Sequence, residues 1–362
     1  MLSPGITDSN GFSLSVPAEI ATLPDERALL LASYFVTNED ALAQLKAQWA
    51  KRDPSHSRVM GRTKYETRLI PESQFGGTVA LLDPNNLGRG FLLEMSAPLA
   101  FGLCLNPSNS SLYVTGGTVI RRYCNGLCTG MLSNPLFSDL HSITFSTAGN
   151  LLVTSTGVDG ILEVDPDDAQ VVYWDWLATE QGYGRTPSGK SRSVNRAIDY
   201  RRYVSSTPEH TTHVNTALND TPGRVLATLF HQGTLIEIDK VSKRSRILLG
   251  GLRSPHNIRR RYGGYILSDT RANRVLLLDD GFRLERELEG GFSWVQDAVE
   301  LDTQSVLIAD SNNDRILRVD YCRGADDSFG WKAGSRKFAA FELITVRQAR
   351  AVFLPGERGG LQ

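Results

Sequence analysis

A short β-rich run that ends in an acidic residue recurs along this chain at nearly constant intervals. It is present as GTVALLD, GILEVD, GTLIEID, NRVLLLD and DRILRVD, which end at Asp83, Asp165, Asp239, Asp279 and Asp320. The run GTVIRRY, which ends at Tyr123, occupies the same place without the acid. Successive ends are separated by 40, 42, 74, 40 and 41 residues, so one unit length is kept everywhere except across one interval.

A unit of about 40 residues with several short strands is typical of β-propeller blades and not of helical solenoids, whose units show a 3.6-residue spacing. Each unit reads as an inner strand such as HSITFS, a second strand such as LLVTST, the acid-ended strand and an outer strand such as QVVYWDW. Six marked strands predict an all-β, six-bladed propeller. We expect the C-terminal run ITVRQARAVFLP to supply inner strands to the blade that contains GGTVALLD, which would hide the sheet edges.

Two segments depart from the repeat. The long interval contains an insertion at about 176–207 that is rich in Gly, Ser, Arg and Tyr. At the N-terminus, ERALLLASYF and EDALAQLKAQWAKR have helix-type spacing, and Thr37 with Asp40 has the spacing of a capping box for a helix that begins near Asn38. The sequence therefore predicts an N-terminal helical arm over 1–57 and a propeller over 58–362.

Charge and cysteine content indicate which partners and which cellular compartment are favoured. Lys and Arg number 39 against 40 Asp and Glu, so no overall field favours nucleic acid or a membrane surface as a partner. Residues 1–24 lack a basic segment followed by an apolar run, and we expect a cytoplasmic protein. The four cysteines predict buried or free thiols, with a metal at Cys124 and Cys128 as the less favoured alternative.

The runs SVLIADSNNDRILRVD and YILSDTRANRVLLLD resemble NHL-type repeats, and over about 76–355 the whole period is similar to six-bladed propellers of the strictosidine-synthase and gluconolactonase-like superfamily. Peptidyl-hydroxyglycine lyases are similar propellers that hold zinc through three histidines. Virginiamycin B lyase-like propellers carry PHG-type histidines, close to PHNI at 255–258. This chain lacks the PHG glycine, has its histidines on adjacent blades, and does not show the acidic and Asn ligand pattern of calcium lactonases.

Inner strands begin with an unusual set of residues. Four inner strands begin with His141 in LHSI, His213 in THVN, His256 in PHNI and Gln296 in VQDAV. These residues lie 24, 26, 23 and 24 residues before the ends of their units, which predicts that their positions in the blades are equivalent. Inner strands run side by side around the axis, so these side chains should meet at one mouth of the channel. Three neutral imidazoles with an open side are suited to a catalytic divalent metal, here zinc or iron rather than calcium, with Gln296 completing the shell. The alternative is that these side chains fill the channel.

Further candidates come from the insertion and from the last inner strand. The insertion should cover the same mouth, and Tyr200, Tyr203 and His210 are its candidate acid or base groups, although a plain surface loop is equally compatible. Asp297 is a candidate base or a further shell residue. His231 is expected to be structural and to lie away from the mouth. Arg259–Arg261 is expected to be a solvated basic run.

The leading functional hypothesis is a metal-dependent lyase or hydrolase-like enzyme that acts on a small organic molecule or a peptide. A metal-free condensation with Asp297 as base is a variant of it. The competing hypothesis is a non-catalytic NHL-type propeller that binds a protein partner. P-loop, GxSxG and dinucleotide motifs are absent from the sequence, which gives no support to nucleotide-dependent chemistry.

Overall fold

The computed structural model describes residues 6–7, 13–14, 20, 22–38, 40–41, 43–44, 47, 72–203, 205–322, 324–330 and 337–354. They form a six-bladed β-propeller in which every blade is a four-stranded antiparallel sheet. A separate two-stranded ribbon pairs Ile6–Thr7 with Ser13–Leu14. No helix in the described part of the chain is long and apolar enough to cross a membrane.

Blades 2 to 4 are each continuous in sequence, and their strands follow one another from the channel outward. Blade 2 contains Leu103–Leu105, Leu112–Thr115, Ile120–Cys124 and Leu127–Leu132. Blade 3 contains Leu140–Phe145, Leu151–Ser155, Gly160–Val164 and Val172–Leu177. Blade 4 contains Val214–Thr221, Arg224–Leu229, Thr234–Asp239 and Ser245–Leu249.

Blades 5 and 6 follow the same plan, and blade 1 closes the ring. Blade 5 contains Ile258–Arg261, Gly264–Asp269, Arg274–Asp279 and Leu284–Leu288. Blade 6 contains Val295–Asp302, Ser305–Asp310, Arg315–Asp320 and Gly324–Gly330. Blade 1 contains Phe338–Thr345, Ala28–Tyr34, Thr78–Leu82 and Phe91–Ser96. The six strands recognised in the sequence are the third strands of the six blades, which confirms the predicted fold.

Blade 1 corrects the predicted helix in the N-terminal arm. Ala28–Tyr34 is a strand that pairs with Phe338–Thr345 on one side and with Thr78–Leu82 on the other. Leu29 and Leu31 pack toward blade 2, whereas Leu30 packs toward blade 6. A strand that is buried on both faces carries a continuous apolar run, and its periodicity does not distinguish it from a short helix. Part of the segment 1–57 therefore belongs to the propeller.

Both ends of the ring-closing region differ in detail from the sequence prediction. The inner strand ends at Thr345, and Val346–Phe353 is an α-helix, whose capping box joins Thr345 and Gln348. Near the N-terminus, the hydroxyl of Thr37 accepts from the amide of Gly77, and Asn38 caps the following turn by accepting from the amide of Ala41. The described residues of the second predicted helix (40–41, 43–44 and 47) are helical, and 48–57 lie outside the described residues.

The hydrophobic core lies between the blades. Six clusters of buried side chains each join two adjacent blades, as in the contact of Val214 and Ala217 of blade 4 with Leu152 and Ile161 of blade 3. Each blade therefore needs its neighbours to bury its apolar faces. This packing holds the inner strands side by side and fixes where their first residues meet.

The insertion and several short turns attach to this frame. The insertion between Leu177 and Val214 contains the short 3-10 turns Ala178–Glu180, Tyr200–Arg202 and Thr207–Glu209. Further 3-10 turns connect strands within the blades or precede them. They are Glu72–Phe75, Leu87–Arg89, Thr156–Val158, Thr270–Ala272 and Ser311–Asn313.

Candidate active site at the channel mouth

Strand register shows which mouth residues are equivalent. His141, His256 and Gln296 each lie two residues before an inner-strand residue that is paired in the same way, in Ile143–Val153, Ile258–Leu267 and Ala298–Ile308. In blade 4 the corresponding pair is Ala217–Ala227, so the equivalent position is Asn215. His213 lies two residues earlier, and the predicted equivalence is wrong for this histidine.

His213 enters the mouth from a left-handed turn. Its φ is 50°, and the residues in the same place in three other blades, Asp139, Ser254 and Trp294, have φ values of 53°, 56° and 62°. Non-glycine residues adopt positive φ rarely, and Asn, Asp and His do so most readily. The repeated turn places Asp139, His213 and Trp294 directly before the first residues of their strands, and Ser254 four residues before Ile258.

Aromatic and imidazole rings line the mouth in an unbroken series of contacts. The ring centroids of His213 and His141 are 5.0 Å apart, and the centroid of His213 is also 5.0 Å from that of Phe230. The series runs in the order Phe101, His141, His213, Phe230, His256 and Trp294. The structure thus brings the three predicted histidines to one mouth, with Phe230 between His213 and His256.

His210 and His213 form a directly bonded pair. Their Nδ1 atoms are 2.7 Å apart and their rings are stacked with centroids at 4.9 Å. On the other side of His210, Nε2 lies 2.7 Å from the hydroxyl of Ser205. A chain of three side chains therefore connects the insertion to the mouth.

A single buried carboxylate holds the histidine loop in place. Asp159 accepts hydrogen bonds from the backbone amides of Thr211, Thr212 and His213 at 2.7 to 2.8 Å. It also forms a buried ion pair with Arg192 of the insertion. Burial alone would raise the pKa of Asp159, but Arg192, His210 and these amides outweigh it and lower that pKa. The loop is therefore rigidly attached to blade 3.

The buried histidines of the mouth are uncharged at neutral pH. Burial is the main cause, and it lowers the pKa of His210 to about 4 and that of His256 to about 3. The pKa of His213 is also well below its usual value, because burial and the four neighbouring histidines all oppose a positive charge. Neutral imidazoles offer a lone pair for proton transfer or for a metal.

Backbone carbonyls orient two of these rings. Nδ1 of His141 lies 3.0 Å from the carbonyl oxygen of Asp139, and Nδ1 of His256 lies 3.2 Å from that of Ser254. A carbonyl can only accept, so a neutral ring in this position carries its proton on Nδ1. Nε2 is then the proton acceptor of each ring.

The predicted metal site is not evident in this arrangement. Among the residues that the structure describes, no group of three or more His, Cys, Asp or Glu side chains is placed to hold a metal ion. Nδ1 of His213 is already bonded to His210, and Phe230 separates His213 from His256. The four cysteines are free thiols, as predicted. Metal binding by His141, His213, His256 and Gln296 stays a prediction.

Asp297 has a different environment from its neighbour Gln296. Both carboxylate oxygens of Asp297 accept from the guanidinium of Arg259, at 2.9 and 2.6 Å, and also from the amides of Ala298 and Phe341. Arg259 extends further to Glu342, at 3.5 Å, and burial raises the pKa of Glu342 to about 7. Each carboxylate oxygen of Asp297 thus has two donors from this interior network, which does not favour Asp297 as the base.

The remaining predicted residues occupy several places. The amide side chain of Gln296 accepts from the indole of Trp294 at 2.8 Å. Tyr200 is fully buried between blades 2 and 3, and its hydroxyl accepts from the amide of Asn195. Tyr203 follows the same turn and is partly exposed. His231, expected away from the mouth, borders it, because its ring centroid is 5.9 Å from that of His213.

Comparison with known proteins supports the fold. No family model matches the chain, and no curated protein matches it. A protein of unknown function from Bacteroides caccae is 11% identical, with 74% of this chain and 94% of that chain covered and a TM-score of 0.50. A nidogen/laminin complex gives 12% identity, 88% and 99% coverage and a TM-score of 0.50. A streptogramin B lyase is 10% identical, with 78% of this chain and 97% of that chain covered and a TM-score of 0.48. The chain is thus a six-bladed propeller with a histidine cluster at one mouth.

Proposed function

We propose that this protein is a propeller enzyme that transfers protons at the channel mouth, in a lyase or hydrolase type of reaction on a small organic molecule or a peptide. The observation that carries the proposal is the bonded pair of neutral histidines, His210 and His213, whose Nδ1 atoms are 2.7 Å apart. His141 lies beside this pair.

The chemistry of the pair follows from its hydrogen bond. Two facing Nδ1 atoms can bond only if one is protonated and the other is not. The pair then holds one shared proton, and the Nε2 atom of the ring that donates is an unprotonated acceptor. General acid and base groups of this kind typically contribute about 10²- to 10⁴-fold to a rate.

The lining of the mouth favours an apolar or aromatic part in the substrate. Phe101, Phe230 and Trp294 supply ring surfaces, and the buried histidines between them carry no charge at neutral pH. Binding sites for small molecules combine apolar walls with a few oriented polar groups. Here the oriented groups are Nε2 of His141 and of His256.

The direct test is a turnover screen in which the histidine pair is altered. Esters, lactones, cyclic depsipeptides and short peptides are incubated with the protein, and products are measured by mass spectrometry. We expect His213→Gln to lower any turnover by about 10²- to 10⁴-fold. Tyr262→Phe is the control, since Tyr262 is 80% exposed on blade 5. Turnover of no compound, or wild-type turnover by His213→Gln, contradicts the proposal.

The predicted divalent metal is tested separately, because the proton-transfer proposal does not depend on it. The metal prediction expects stoichiometric zinc or iron in the purified protein and its loss in His213→Ala. Metal analysis of both proteins decides this. A full metal content in the variant would exclude His213 as a ligand.

The competing hypothesis of a protein-binding propeller receives no specific support from the basic residues that suggested it. Arg259 is bonded to Asp297, Arg260 is paired with Asp280 at 2.6 Å, and Arg261 is paired with Glu285. In the insertion, Arg196 is bonded to Asp175 and Glu180. These cations are engaged within the chain and do not form a free basic surface.

A further inference from the structure

We propose that Ser205 is a nucleophile activated by His210, with His213 orienting His210, and that this triad transfers an acyl group from an ester or lactone to water. The proposal rests on the proposed function and names its substrate class. Ser205 belongs to the insertion and not to the repeated strand pattern. The geometry is that of a nucleophile, a base and an orienting group in one hydrogen-bonded line.

The contacts of Ser205 indicate the direction of its hydroxyl proton. The oxygen lies 2.7 Å from Nε2 of His210 and 3.4 Å from the carbonyl oxygen of Gly157. That carbonyl already accepts from the guanidinium of Arg192. The contact with His210 is much the shorter of the two and alone lies within the usual O–H hydrogen-bond range, so the hydroxyl donates to Nε2 of His210, which is then the unprotonated nitrogen.

The second nitrogen of His210 completes the arrangement. With Nε2 unprotonated, neutral His210 carries its proton on Nδ1 and donates it to Nδ1 of His213 at 2.7 Å. His213 is itself fixed by its backbone amide, which donates to Asp159 at 2.7 Å. The orienting role that a carboxylate has in many triads thus falls to a neutral imidazole.

The reaction balances with water as the only co-reactant. The oxygen of Ser205 attacks the carbonyl carbon, and its proton moves to Nε2 of His210. The bond from that carbon to the leaving oxygen breaks, and the leaving alcohol takes the proton from His210. Water then attacks the acyl-serine, gives a proton to His210, and the carboxylic acid departs as Ser205 regains its hydrogen.

The location of Ser205 is compatible with this chemistry. It is partly exposed, whereas His210 is fully buried, so a substrate can approach the hydroxyl but water does not surround the base. The ion pair of Arg192 with Asp159 joins the insertion to the histidine loop. The two parts of the triad are therefore held together although they come from different segments.

The test is covalent labelling of the full-length protein with a fluorophosphonate probe, which forms a stable bond to activated serines. We expect one adduct, located on Ser205 by peptide mass spectrometry. Ser205→Ala and His210→Gln should lose it, and Ser188→Ala should keep it, because Ser188 is an exposed serine of the same insertion. His213→Gln should slow labelling at least 10-fold. Circular dichroism of each variant shows whether the propeller is folded.

Three outcomes separate this inference from the proposed function. An adduct confined to Ser205 together with loss of ester turnover in Ser205→Ala supports the triad. An unlabelled wild-type protein, or an adduct on another residue, overturns it. Turnover that survives in Ser205→Ala but is lost in His213→Gln also overturns the triad, and it leaves proton transfer by the histidine pair standing.

Discussion

The mouth and the interior of the channel differ in whether their buried polar groups are paired as ions or kept neutral. In the interior, Arg259 and Asp297 form a salt bridge, and each oxygen of Asp297 has two donors. At the mouth, His210, His213 and His256 are held in the neutral form by burial. Adjacent residues of one strand, Gln296 and Asp297, belong to the two different regions. Buried groups that keep an unused lone pair are available for chemistry, whereas fully paired charges stabilise the fold.

The largest expected effect is the loss of the interior ion pair. Asp297→Ala leaves Arg259 buried with only Glu342 as a charged partner, and we expect the free energy of unfolding to fall by about 3 to 5 kcal/mol. Urea denaturation measures it. Asp280→Ala is the matched control, since this exposed carboxylate pairs with the neighbouring Arg260 and should contribute little. A small loss in Asp297→Ala would mean that the interior network is not stabilising.

The free energy of unfolding should depend on pH with opposite slopes for the two regions. The unfolded protein protonates its histidines near pH 6.5, whereas folded His256 resists protonation down to about pH 3. The unfolded state therefore binds more protons in this window, and the free energy of unfolding falls as the pH decreases. Folded Glu342 has a pKa of about 7, above its usual value, so it contributes the opposite slope between about pH 4.5 and 7.

Two variants make this prediction measurable. His256→Gln should flatten the dependence of the unfolding free energy on pH between 6.5 and 4, and Glu342→Gln should steepen it. For His210, the shift to a pKa of about 4 corresponds to a term on the order of 3 kcal/mol across this range. Urea denaturation at pH 7.5, 6, 5 and 4.5 gives both slopes. If both variants change the slope of the unfolding free energy against pH in the same direction, the mouth and the interior do not differ electrostatically as proposed.

The smallest expected effect concerns Tyr200, a candidate catalytic residue in the sequence. Its hydroxyl accepts from the amide of Asn195 at 2.8 Å within the core between blades 2 and 3. Tyr200→Phe should cost about 1 kcal/mol of stability through this hydrogen bond. Any turnover found in the screen should be unchanged. A large loss of turnover in a fully folded variant would restore Tyr200 as part of the site.

Much of the fold could be predicted because its signal is local and repeated. Each blade carries the same strand pattern, so the third strands Gly160–Val164, Thr234–Asp239 and Arg274–Asp279 were all recognisable. Blade 1 was harder, because three segments far apart in sequence build it. Ala28–Tyr34 is buried on both faces, which removes the alternation that would have identified a strand. The helix after Thr345 did have a sequence signal, the capping box with Gln348.

The site was only partly predictable for a related reason. The histidines at strand starts were visible in the repeat, but the two-residue offset of His213 appears only in the register of blade 4. Ser205 lies in the insertion, outside the repeat. Asp159 ends a short turn that recurs at Asn273 and Asp314, so its position alone does not mark it as the partner of the histidine loop. The spacing of His210 and His213 offered a hint, since two histidines three residues apart both lie just before the inner strand that begins at Val214.

The number of blades, the order of their strands and the placement of several histidines at one mouth all follow from the local sequence, because each unit of about 40 residues carries the same strand pattern. Which of those side chains are bonded to each other follows only from the packed three-dimensional structure. Hydrogen bonding depends on fractions of an ångström between groups from separate segments, such as His210 and Ser205 at 2.7 Å. Burial, which keeps the mouth histidines neutral, likewise arises only when adjacent blades pack together.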